Sequence, residues 1–172
     1  MGATPGLPAD VEGGPGWVID GSTLRPRITD LRAFREGMAD DPLEEAVEAL
    51  WSGDPATARG LLLQVEPTVR VRALLADCAR DAGAVDDALE QYAELLAECI
   101  GTPLEPVLRQ HYGKTLLAAG RVEEALAEFE TAHAMRIQAG AAADLVASSA
   151  QARDRARQLL SARHQPPGPS PR

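Results

Sequence analysis

Three stretches of this chain place small and apolar residues at the same offsets from a glycine. From Gly120, five residues lead to Ala125, nine to Phe129 and twelve to Ala132; from Gly83 the same steps reach Ala88, Tyr92 and Leu95; from Gly53 they reach Ala58, Leu62 and Val65. Each glycine separates two segments of helical periodicity, so the repeated unit is a helical hairpin. In the first unit, Asp41-Pro42-Leu43-Glu44 supplies a cap, a proline that suits a first turn and an acid, with Leu43, Val47 and Leu50 as the buried stripe. Asp54-Pro55 restarts a helix that turns Ala58, Leu61, Leu62 and Val65 to one side before Pro67. The middle unit predicts a helix over 69–82 with two apolar stripes, Val71, Leu74, Leu75 and Cys78 on one and Val69, Ala73 and Ala76 on the other. Burial on both sides suits a repeat held between two others. Its second helix carries Val85, Ala88, Leu89, Tyr92, Leu96 and Cys99 inward. Thr102-Pro103-Leu104-Glu105 opens the third unit, whose first helix buries Leu104, Leu108, Tyr112 and Leu116 and whose second buries Val122, Ala125, Leu126, Phe129 and Ala132.

The flanks follow other patterns. Residues 1–16 mix Pro, Gly and acids with little to bury and are expected to be disordered. Residues 17–41 hold an extended segment, Trp17 to Ser22, which lacks a second strand to make a sheet, and a short helix over 30–36 introduced by Thr29. Gly140 separates the third hairpin from an Ala-rich helix over 142–163 with Leu145, Ala152, Ala156 and Leu159 on its inner side. Ser148, Ser149, Gln151, Arg153, Arg155 and Arg157 form the side expected to face water, as a terminal cap of a repeat stack requires. The proline-rich residues 164–172 are expected to be disordered.

Over residues 42–138 the chain resembles the tetratricopeptide repeat family, in about three repeats. Gly113, Ala125, Phe129 and Ala132 fall on that family's small and aromatic positions, whereas Arg109, Leu116 and Ile137 stand where Trp, an aromatic and Pro are typical. The middle unit keeps Leu75, Ala88 and Tyr92 but has Ala76 for the small glycine, and the first keeps Gly53, Ala58 and Leu62. The turn-to-turn spacings are 30 and 37 residues, against about 34 in the family. The resemblance implies an all-α, right-handed solenoid of antiparallel hairpins with a C-terminal capping helix. It further implies a concave groove lined by the first helix of each unit. Placed residue by residue, that groove takes Leu43, Val47, Trp51, Arg70, Ala73, Asp77, Arg80, Gln110, Lys114 and Leu117. The family's two-carboxylate clamp is not evident, because Ala73 and Asp77 stand where it has amide and basic groups.

Composition narrows the function. Aromatics are 3% of residues against 45% hydrophobic overall, a balance that favours closely packed helices over a sheet core. Lys114 is the lone lysine, an arginine bias expected of a high-GC bacterial genome. The net charge is −9, and residues 42–139 carry 17 acids against 8 bases while residues 140–172 carry 2 against 5. An acidic body repels phosphates, so nucleic acid is disfavoured as a partner. No stretch is apolar enough to span a bilayer and the start lacks a signal pattern, which leads to a cytoplasmic expectation.

Candidate chemistry is sparse. Cys78 and Cys99 stand too far apart on their hairpin for a disulfide and are expected to be small core residues. His111 and His133 fall on facing helices but lack a spaced carboxylate or cysteine. Gly13-Gly14-Pro15-Gly16 has neither the lysine nor the following helix of a phosphate loop and reads as a flexible tail. Glu44-Glu45, Asp86-Asp87 and Glu123-Glu124 suit helix first turns through the helix dipole. These readings point away from an enzyme and imply no cofactor and no metal. They favour a scaffold or adaptor that binds a peptide or protein partner, with a self-associating structural or regulatory subunit, a homo-oligomer, as the alternative.

Overall fold

The computed structural model describes residues 8–164, which form three short strands followed by eight helices. The strands are β1 (Val11–Gly14), β2 (Trp17–Ile19) and β3 (Pro26–Ile28). The helices are α1 (Leu31–Met38), α2 (Glu44–Trp51), α3 (Pro55–Leu62), α4 (Val69–Asp81), α5 (Val85–Cys99), α6 (Glu105–Ala118), α7 (Val122–Gln138) and α8 (Ala143–His164). The molecule is therefore mostly helical with a small sheet. Each helix from α2 to α7 packs on the next, and α6 also touches both α4 and α8.

The three repeated glycines close identical turns. Gly53, Gly83 and Gly120 adopt φ of 90°, 90° and 76°, and the next residue's N–H reaches back to the carbonyl five positions earlier. Those bonds, Asp54 to Ala49, Ala84 to Ala79 and Arg121 to Leu116, are each 2.9 Å. The glycine N–H groups bond Leu50, Arg80 and Leu117 at 3.0–3.1 Å, completing a left-handed helix stop that satisfies two otherwise orphaned carbonyls. The pattern recurs at Gly140, where Ala141 bonds Arg136. Five residues past the three hairpin glycines, Ala58, Ala88 and Ala125 are fully buried; nine past, Leu62, Tyr92 and Phe129 are too. The twelfth position differs: Leu95 and Ala132 are buried, but Val65 is 40% exposed, because α3 ends at Leu62. Leu104, expected to be buried, is 46% exposed, because it precedes α6 and is held outside the helix pair.

The N-terminal region departs most from expectation. Residues 1–7 lie outside the described part, but the disorder expected to 16 does not hold for Val11–Gly14, which pairs antiparallel with β2, and β2 pairs with β3. The strand Trp17 to Ile19 thus has two partners. Gly13 and Gly16 are structural: a Cβ on Gly13 would lie 2.1 Å from the Trp17 ring, and one on Gly16 would lie 2.2 Å from the Asp30 carbonyl. Gly16 has φ of 72°, and its carbonyl accepts from Thr29 and Asp30. Helix α1 is capped by Asp30, which accepts from the Ala33 N–H at 3.0 Å, one residue later than the Thr29 cap expected. Asp20 organises the β2–β3 loop by accepting from the N–H and hydroxyl groups of Ser22 and Thr23. Those bonds, that of the Ser22 hydroxyl foremost, draw its carboxyl down to about 2.

The sheet lies across the helices. Trp17 packs against Trp51 of α2, the ring centroids 4.5 Å apart and the planes tilted by 46°; Leu24, 1% exposed, enters the cluster made by Leu116, Val122, Phe129 and Ala152 of α6, α7 and α8. Leu24 has φ of 59°, an unfavourable backbone for a leucine that its burial offsets.

The side of α8 expected to be wet is partly buried: Ser149 is fully covered, Ser148 and Gln151 are 5% exposed, and Leu145, expected inside, is 42% exposed. The Gln151 amide donates to the carbonyls of Ala9 and Ile19. The N-terminal strands, which sequence periodicity does not reveal, cover this face at Gln151, while Ser148 and Ser149 turn to Gln110 of α6 and His133 of α7. The proline-rich segment after His164 lies outside the described residues.

Candidate functional site

The ten residues expected along one groove separate into four environments. Val47, Trp51, Arg70, Ala73 and Asp77 border one apolar cleft. Lys114 and Leu117 border a different cavity, which Arg80 also reaches. Leu43 edges a hollow beside Leu61 and Val65, and Gln110 is buried against α8. Trp17 and the β2–β3 loop divide the space that an uninterrupted groove would occupy.

Asp77 and Arg80 do not present themselves to a partner. Their side chains are only 8% and 5% exposed and pair at 2.6 Å, while Arg80 Nε donates to Asp81 at 2.7 Å. Tyr92 of α5 donates its hydroxyl to Asp77 at 2.7 Å, and His111 Nδ1 of α6 lies 3.1 Å from the same carboxylate. Burial pushes the Asp77 carboxyl up, but the charges of Arg80 and His111 and the bonds from His111 and Tyr92 outweigh it and hold it well below the usual range. Burial lowers His111, with Lys114 and Arg80 adding to the effect against Asp77. Helices α4, α5 and α6 are thus joined by one satisfied polar cluster at their centre. His111 and His133 do not meet, since His133 Nδ1 bonds the Ser149 hydroxyl at 3.0 Å.

A second buried cluster ties α6 and α7 to α8. Arg136, 5% exposed, donates to the Gln110 side-chain oxygen and to the Leu145 carbonyl. Gln110 in turn donates to Ser148 at 2.7 Å. Burial pulls the Arg136 guanidinium below its ordinary range. Gln110, expected in the groove, is occupied by this packing.

The cleft is lined largely by apolar side chains. It has a volume of about 450 Å³, within the roughly 300–1,000 Å³ typical of ligand pockets. Trp17, Trp51 and Val47 form one wall, Val69, Ala73 and Leu74 of α4 the floor, and Leu104, Val107, Leu108 and His111 the other wall. Leu104 and Val107 are 46% and 37% exposed. Arg70 sits at the rim, its guanidinium paired with Asp41 at 2.5 Å. Leu104, Val107, Leu108 and His111 recur at i, i+3, i+4 and i+7, so this wall had a helical signature in the sequence. Trp17 had none, because its place depends on the sheet.

Both cysteine thiols are free and buried, and burial pushes Cys78 up to about 11, which makes it a poor nucleophile. Among the described residues no group of three His, Cys, Asp or Glu side chains is placed to hold a metal ion, and no helix is long and apolar enough to cross a membrane. No family model, curated protein or solved structure matches the chain.

Proposed function

We propose that the chain is a tetratricopeptide-like array of helical hairpins acting as an adaptor, and that it captures an apolar segment of a partner protein in the cleft between α2, α4 and α6. The observation that carries this reading is the cleft itself, where Leu104 and Val107 stand partly exposed opposite Trp17 and Trp51. Exposed leucine and valine beside half-buried tryptophans lose apolar surface to water when a partner side chain enters. The recurrence of one turn geometry and one buried register at three glycines supports the repeat reading. The specific outlet for binding is a short helical or extended segment with two or three apolar anchors, as grooves of this shape accept. Arg70 at the rim offers a guanidinium that an acidic flank of the segment can share with Asp41.

Co-purification from native lysate, followed by titration of the captured segment as a synthetic peptide, tests the reading. Val107→Glu and Leu104→Glu are expected to weaken that peptide at least tenfold, with Leu63→Glu, exposed just past the end of α3 and outside the cleft, unchanged. Equal binding by all three variants would remove the cleft as the site. Self-association is favoured by one observation, the exposure of Ile100 (64%), Ile137 (57%) and Leu145 (42%) near the α5–α6 and α7–α8 connections. A concentration-independent monomer by light scattering would sink that alternative.

A further inference from the structure

The second cavity has a chemistry opposite to that of the chain. A volume of about 300 Å³ lies between the β2–β3 loop and helices α4, α6 and α8. Four cationic side chains reach it, Arg25, Arg80, Lys114 and Arg155, in a protein of net charge −9. Two of them are answered: Arg80 pairs with Asp77 and Asp81, and Arg25 with Asp81 at 3.2 Å. The other two are not. Among the described residues no carboxylate pairs with Lys114 or Arg155, and Arg155 uses its Nε to donate to the Ser22 carbonyl at 3.0 Å. The remaining wall is apolar, formed by Leu24, Leu117 and Leu159.

Two unanswered cations beside an apolar wall define a ligand with a negative head and a hydrocarbon body. We infer that this cavity binds a small organic anion, its head between Lys114 and Arg155 and a chain of a few carbons against Leu117 and Leu159. The site is independent of the peptide cleft, on which it does not rely. Its construction also explains why the cations are held there. Burial, with Arg80 and Arg136 adding to it against Asp77, pulls the Lys114 ammonium down to about 8. An anion that enters restores the charge balance, so binding raises the Lys114 pKa and, above pH 8, draws a proton from solution. The groups facing this ammonium are Asp77, Arg80 and Asp81 from α4, Arg136 from α7 and His111 on its own helix α6, with Arg155 across the cavity on α8. Because the loop from Ser22 to Arg25 forms one wall, the anion also fastens the N-terminal sheet to the helices.

Isothermal titration of the full chain with hexanoate tests this, with hexanamide as the neutral counterpart and inorganic phosphate as a head without a body. Saturable binding of hexanoate, at least tenfold tighter than that of either comparison compound, is expected. At pH 8.5 in two buffers of different ionisation enthalpy, the wild type should take up protons on binding. Lys114→Met and Arg155→Gln should each lose at least tenfold in affinity, the former also losing the proton uptake, while Arg70→Gln binds as wild type. Circular dichroism establishes that each variant is folded, and Arg155→Gln carries the test alone if Lys114→Met is not. Hexanamide binding as tightly as hexanoate, or unchanged affinity in Arg155→Gln, overturns the proposal. Phosphate binding as tightly as hexanoate overturns the role given to the apolar wall.

Discussion

At the scale of single residues, two buried sites concentrate the consequences of substitution. Phe129 is fully buried, and Gly113 is glycine because a Cβ there would lie 2.6 Å from the Phe129 ring. Phe129→Ala should cost ~3–5 kcal/mol through the hole it leaves, while Gly113→Ala forces ring and helix apart. The two are coupled: Gly113→Ala should be much less harmful in a Phe129→Leu background, and purely additive denaturation midpoints would refute the contact. Asp77 is the other site. Removing its charge leaves Arg80 buried with Asp81 alone, so Asp77→Asn should cost ~3–5 kcal/mol at pH 7. Its pKa in the folded chain lies below the unfolded value, so its contribution is complete above about pH 4 and is lost as pH falls through the lowered folded value. Urea melts from pH 7 to 2 should therefore show wild type and Asp77→Asn converging below pH 4. Parallel curves throughout that range would mean the carboxylate titrates normally.

At the scale of elements, the hairpin stops were legible in the sequence and the sheet was not. A glycine followed by alanine at +5 and a large residue at +9 is a local signal, since both the left-handed turn and the inward stripe arise within one hairpin. The same rule gives a prediction that separates conformation from packing. A Cβ on Gly83 or Gly120 meets nothing within 4 Å, so Gly83→Ala and Gly120→Ala should each cost only the left-handed backbone term, ~1–2 kcal/mol. Gly16→Ala adds a collision with Asp30 to the same term and should lower the thermal midpoint further than either; a smaller drop would show that the β2–α1 junction is not closely packed. The extended segment at Trp17 is visible in the sequence, but its two partner strands are not, for a physical reason. Strands of three or four residues, the first of them half glycine, carry no usable alternation, and their order comes from Trp17 on Trp51 and from Gln151 on α8, contacts more than thirty positions away. For the same reason an undivided groove does not follow from helix position alone: Arg80 is consumed by Asp77 and Asp81 on α4 itself, and Asp77 and Gln110 by partners on other helices. Ser148, Ser149 and Gln151 looked wet because nothing local announced the elements that cover them.

At the scale of the molecule, the N-terminal sheet works as a strap across the open side of the helices. It touches α2 through Trp17, α4 through the Arg25 to Asp81 pair, and α8 through Gln151 and Arg155. An array of hairpins has nearest-neighbour contacts and can open from either end. A strap that joins α2 to α8 makes opening at one end felt at the other. Leu24 is its anchor, the one strap side chain buried among α6, α7 and α8. Leu24→Ala removes most of that burial and should cost ~2–5 kcal/mol if the strap belongs to the cooperative unit. Hydrogen exchange distinguishes the cases. In the wild type the sheet amides should exchange only with global unfolding; in Leu24→Ala they should exchange through a smaller opening that spares α4 and α5. Sheet amides already in rapid exchange in the wild type would mean that the strap is peripheral, and with it the division of the groove into an apolar cleft and a cationic cavity would fall.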